Sequence, residues 1–169
     1  MFRRSFDRKY GIILSETTEA LDRTDRKILE VLSGDGRISL TELARRVGLS
    51  KTPVQARMKR LEKIGVIRGY APRIDPVRLG LPHIAFVEVK LADTREVALK
   101  AFNDAVARIP EIEECHMIAG AFDYLLKVRT RDMAGYREIL GERISNLPHV
   151  AQTSTHVAMQ AVKDVVLGT

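Results

Sequence analysis

"SLTELARRVGLSKTPVQARMKRLEKIGVIRGY", residues 39–70, states one pattern twice: a hydroxyl residue, an apolar beat at helical spacing, then a glycine. Ser39 and Glu42 have the S-x-x-E spacing in which hydroxyl and carboxylate satisfy each other's backbone N–H groups. Leu40, Leu43, Ala44 and Val47 follow at i, i+3, i+4 and i+7, the buried stripe of a short helix. Gly48 stops that helix, because glycine enters the left-handed region without a Cβ clash. Ser50 is the expected cap of the next helix, and Pro53 sits in its first turn, where a missing N–H is tolerated. Val54, Met58 and Leu61 make its apolar stripe. Thr52, Ala56, Lys59 and Lys63 lie opposite, flanked by Gln55 and Arg60. Gly65 closes this second helix, and residues 66–74 read as a short β-ribbon that ends at Asp75-Pro76.

Working outward, Leu21-Asp22 opens an earlier helix with Asp22 as cap, Asp25 in the positive first turn, and Ile28, Leu29 and Leu32 on one face. Residues 1–20 lack sustained periodicity and are expected to form a mobile arm. Beyond a linker at 75–82, Ala85, Val87, Val89 and Leu91 alternate with Ile84, Phe86, Glu88 and Lys90, a strand. A helix follows with Ala98, Ala101, Phe102, Ala105 and Ile109 on one side. Strands are expected at 112–119 and 123–130, then a helix carrying Met133, Tyr136, Leu140 and Ile144 inward. The Thr-rich run 150–159 supplies a fourth strand. This order, βαββαβ, is the split arrangement of four antiparallel strands with two helices on one face. The fold class is α+β, with modules at 21–74 and 83–169.

The charge is divided unequally. Residues 1–70 hold 16 Lys/Arg against 9 Asp/Glu, and residues 71–169 hold 12 against 13. Between Arg37 and Arg68 there are nine basic residues and only Glu42 and Glu62 as acids, so this interval carries the whole excess of the first half. Two capped helices meeting at a glycine form a helix-turn-helix, whose second helix enters the DNA major groove. A solvated basic face is the competing reading of the same charges. On the DNA reading, double-stranded DNA is the partner. Ser39, Ser50, Lys51, Thr52, Gln55 and Ala56 stand at the groove end, Gln55 able to pair with adenine and Ala56 or Thr52 to touch a thymine methyl. Arg37, Lys59, Arg60, Lys63 and Arg68 hold phosphates.

Other classes are poorly supported. Cys115 and His116 are successive strand residues facing opposite ways, so they form no nucleophile and base. His83, His116, His149 and His156 lack metal-ligand spacing, and neither a P-loop nor a dinucleotide fingerprint occurs. No enzyme, metal or cofactor is expected. One cysteine in 169 residues excludes a disulfide framework within the chain, and the longest apolar run of the opening is Ile12-Ile13-Leu14, so a cytoplasmic protein without a membrane segment is expected.

The segments "LDRTDRKILEVLSGDGRISLTELARRVGLSKTPVQARMKRLEKIGVIRGY" and "ECHMIAGAFDYLLKVRTRDMAGYREILGERISNLPHV" resemble the Lrp/AsnC family of feast/famine transcriptional regulators, nearest the leucine-responsive branch. The resemblance spans roughly residues 21–165. It implies a winged helix-turn-helix followed by a ferredoxin-like domain that forms homodimers, which assemble into octamers or related rings. It also implies an amino-acid effector bound between C-terminal domains, leucine or proline first, and control of amino-acid metabolism genes. Carried over by position, Gly120, Ala121, Phe122, Asp123 and Tyr124 match the effector loop, and Met117, Met133, Thr155 and Val157 the pocket wall. Asp123 would receive the effector's ammonium and the turn's backbone N–H groups its carboxylate. One departure is Ser50-Lys51-Thr52-Pro53, where the family often has Ser-Pro-x-Pro; it adds a charge at the groove end. The rival function is an oligomeric DNA-packaging protein with no metabolite switch.

Overall fold

The computed structural model describes residues 5–7, 12–14 and 20–162. Two compact units divide at Pro72 and Arg73. Near the N-terminus, β1 (Ser5–Asp7) pairs antiparallel with β2 (Ile12–Leu14), so part of the stretch expected to be a mobile arm is a short ladder. Arg3, Arg4, Arg8 and Lys9 lie outside the described residues.

In the first unit, α1 (Arg23–Gly34) starts with a full capping box: the Asp25 N–H donates to Asp22 Oδ1 at 2.8 Å, and the Asp22 N–H donates to Asp25 Oδ2 at 3.1 Å. Helix α2 (Leu40–Val47) begins at Ser39, whose hydroxyl accepts from the Glu42 N–H at 3.2 Å. The expected reciprocal arm is replaced, because the Glu42 carboxylate turns outward to Arg45 and Arg46. Gly48 is left-handed at φ 83°, as the turn between two helices requires. Helix α3 (Lys51–Lys63) starts after Ser50, yet no side-chain bond caps it, a correction to the expected role of that hydroxyl. Ile28, Leu43, Ala44, Val47, Val54 and Leu61 form the core of the three helices.

The ribbon expected at 66–74 is not formed. No strand is assigned there; the Val66 and Ile67 N–H groups both donate to the Leu61 carbonyl, at 3.0 and 3.1 Å, wrapping the chain around the end of α3. Tyr70 then donates to Glu62 Oε1 at 3.0 Å. A strand needs a ladder partner, and Val66 and Ile67 are occupied by the helix end instead.

The second unit contains β3 (His83–Leu91), α4 (Glu96–Val106), β4 (Ile112–Met117), β5 (Tyr124–Thr130), α5 (Met133–Ile139), which continues as a π-helical turn (Leu140–Ile144), and β6 (Val150–Val157). The sheet order is β4-β5-β3-β6, antiparallel throughout, which is the ferredoxin-like topology. Ala85, Val87, Val89, Tyr124, Leu126 and Val128 make the buried face, covered by Phe102 and Val106 of α4 and Tyr136 and Ile144 of α5 and its continuation. Phe102 and Tyr124 meet with ring centroids 4.4 Å apart. Met133 was expected to point inward with Tyr136 but is 49% exposed, because it is the first residue of its helix and lies before the covered turn. The β3–β6 register shifts between Lys90 and Leu91, a bulge at one end of the sheet.

Candidate nucleic-acid interface and effector site

The outward side of α3 is free for a partner. Lys51, Thr52, Gln55, Ala56, Lys59 and Lys63 are all exposed, while Val54 and Leu61 anchor the helix from behind. Arg37, Ser39, Ser50 and Arg68 are exposed as well. Among the described residues no ion pair engages Lys51, Lys59, Lys63, Arg37 or Arg68, so their charges are available to phosphate. Arg45 and Arg46 are shared with Glu42 at 2.6 and 3.0 Å, and these two guanidinium groups hold the Glu42 carboxyl down at about 2.

Arg60 is different from its expected role. It donates to Asp25 Oδ2, and Arg57 donates to Asp25 Oδ1 at 2.8 Å and to Asp22 Oδ2 at 2.6 Å. Asp25 is fully buried. Arg57 and Arg60 therefore lock α3 against the start of α1, and Arg60 positions the recognition surface where a phosphate contact was expected. Sequence reasoning took Asp25 as a helix-dipole residue. The signal it passed over is that Asp22 and Asp25, and Arg57 and Arg60, have the same i, i+3 spacing, which lets two carboxylates meet two guanidiniums.

The effector residues fall into two groups. Met117 and the turn at 120–123 sit at the bulged end of the sheet, with Met117 exposed and Tyr124 buried beneath Phe102. Met133 and Val157 lie toward the other end, where His83 pairs with Thr130, six residues and about 20 Å along β3. Thr155 lies between them, its hydroxyl 2.5 Å from that of Tyr136. One chain does not bring these two groups into a single pocket.

Asp123 was expected as an exposed carboxylate, but it is half-buried. Its Oδ2 accepts the Leu91 N–H at 2.7 Å, its N–H donates to the Val89 carbonyl at 2.9 Å, and its own carbonyl accepts the Ile118 N–H at 2.9 Å. The carboxylate thus satisfies a backbone donor freed by the bulge and docks the turn on β3.

Two families match this architecture: residues 21–68 match the winged helix-turn-helix DNA-binding family, and residues 84–166 the Lrp/AsnC ligand binding domain. A "Proline dehydrogenase transcriptional activator" of Rhizobium radiobacter is 61% identical over 150 residues, 89% of this chain and 96% of the relative. The "Leucine-responsive regulatory protein" of Escherichia coli K12 is 48% identical over 143 residues, 85% and 87% of the two chains. A transcriptional regulator from Neisseria meningitidis, solved as an L-Met complex, superposes with a TM-score of 0.82 at 31% identity, covering 89% of this chain and 96% of that one. The chain belongs to the Lrp/AsnC family.

An Lrp/AsnC protein is a helix-turn-helix transcriptional regulator with an amino-acid-responsive domain, and both parts are present here in order. Among the described residues no helix is long and apolar enough to cross a membrane. In this Lrp/AsnC chain, Asp123→Ala is expected to lower the stability of the second unit by roughly 1–2 kcal/mol, because the Leu91 N–H loses its acceptor in a buried setting. Asp123→Asn keeps an acceptor oxygen and should recover most of it. Chemical denaturation of the three proteins measures this; equal midpoints would mean the bond contributes nothing.

Proposed function

We propose that this regulator binds pseudo-palindromic promoter DNA as a homo-oligomer in the cytoplasm and activates a gene of proline breakdown in response to L-proline. Relatives at 60 and 61% identity carry the name proline dehydrogenase transcriptional activator, and this favours proline. The leucine-responsive relatives, at 48%, are more distant. The observation that carries DNA recognition is the exposed Thr52, Gln55, Ala56, Lys59 and Lys63 face on a helix fixed from behind by core and ion pairs.

Dimers place two such helices about 34 Å apart, or a multiple, on the duplex. Two features support self-association: the separation of the effector residues to opposite ends of one sheet, and the exposed Ile74, Val77 and Leu79, each more than 60% accessible. Residues 21–74 serve as the DNA-binding module, 75–82 as linker and 83–169 as the effector-binding and oligomerising module, with 1–20 outside both.

A mobility-shift titration tests the reading, using the promoter upstream of the organism's proline-degrading gene, a random duplex of the same length, and L-proline or L-leucine. Promoter preference of at least 10³-fold, changed by proline, is the expected result. A shift with leucine alone would move the effector to that amino acid. No preference and no response would leave a DNA-packaging protein.

A further inference from the structure

The turn that joins β4 to β5 carries a cation beside it that neither the family resemblance nor the spacing of the sequence singles out. Lys90 Nζ donates to the Ala121 carbonyl at 3.0 Å. It reaches there because the bulge between Lys90 and Leu91 ends the regular ladder at this point, and Asp123 holds the turn against the same two residues. No ion pair engages Lys90 among the described residues. Glu88, the acid two positions away on the same face of β3, is turned to His156 at 3.2 Å. The turn also has unused donors: the N–H groups of Gly120, Ala121 and Phe122 have no acceptor among the described residues. Asp123, in contrast, already uses one carboxylate oxygen on the Leu91 N–H and lies half-buried.

We propose that Lys90 and the backbone N–H groups of residues 120–122 form the subsite for the effector's carboxylate, with Lys90 as its cation. The inference rests on the reading of this turn as part of the amino-acid site. It assigns the anionic end of the ligand to a residue of β3 and leaves Asp123 chiefly a structural role. An ammonium beside free backbone donors is the arrangement that selects an anion over a neutral isostere, since charge-assisted hydrogen bonds are about twice as strong as neutral ones.

The test pairs a change in the protein with a change in the ligand. Full-length wild-type, K90M, K90Q and K90R proteins are titrated calorimetrically with L-proline and L-prolinamide, and with L-leucine and L-leucinamide. Wild type should prefer the acid of the effector pair over its amide by at least tenfold. K90M and K90Q should reduce that preference to threefold or less, and K90R should retain it. DNA affinity without ligand and the melting temperature should stay unchanged, and K90Q stands in should K90M fail to fold. A tenfold preference surviving in K90M or K90Q overturns the assignment while leaving the effector reading intact. If wild type binds none of the four compounds, the effector reading itself fails and takes this subsite with it.

Discussion

Asp25→Ala should destabilise the N-terminal helices by about 3 kcal/mol, at the lower end of the range for breaking a buried ion pair, since Arg57 and Arg60 remain about one third exposed and can be rehydrated. The substitution removes three things at once: the reciprocal arm of the α1 capping box and the anchors of two guanidiniums on α3. Burial by itself raises the pKa of Asp25. Bonds from Arg57, the Asp22 backbone and Arg60 outweigh it, so the group sits below its ordinary value. A carboxyl depressed in the folded state contributes stability that is full above its unfolded pKa, about 3.9, and is lost as pH falls through the folded value. Wild-type protein should therefore lose protection of its α1–α3 amides to hydrogen exchange in acid below about pH 4, and Asp25→Asn should lack that component. A loss under 1 kcal/mol for Asp25→Ala would show that α3 is held by its apolar stripe alone.

Replacing Lys59 and Lys63 together with Ala should weaken binding about 60-fold in 0.1 M salt, on promoter and random duplex alike. Each phosphate contact contributes a factor of about 8 at that concentration through counterion release, and the slope of log K against log salt should flatten by about 1.8. Both lysines are exposed, and among the described residues neither has an ion-pair partner, so folding should be untouched. Arg60→Ala, by comparison, should act on stability more than on salt dependence, because its guanidinium is held by Asp25. Fluorescence anisotropy at four salt concentrations separates the two. An unchanged slope in the double variant would place the DNA on another surface.

Much of this was legible from local chemistry. The Asp22 cap, the Gly48 turn and the Val54, Met58 and Leu61 stripe act within one turn of helix, and the structure contains each of them. The alternation in 84–91 sets which side of β3 is buried, and it too is present. Expectations failed where a residue had a choice of partners. Glu42 could close a capping box or meet Arg45 and Arg46, and three donors from two guanidiniums hold it more strongly than one backbone amide. Residues 66–74 have the composition of a strand, but Val66 and Ile67 are drawn back to the Leu61 carbonyl.

The sequence by itself determined the two modules, the order of their elements, the face of each helix that is buried and the basic exposed side of α3. These follow from periodicity, capping and charge, which are properties of neighbours along the chain. Only the tertiary structure decided that Arg57 and Arg60 close on Asp22 and Asp25 across more than 30 positions, that Asp123 serves the Leu91 N–H, and that Lys90 reaches the effector turn. Such contacts depend on where separate elements cross. A charged group chooses among all the partners that folding brings within reach, and sequence spacing does not list them.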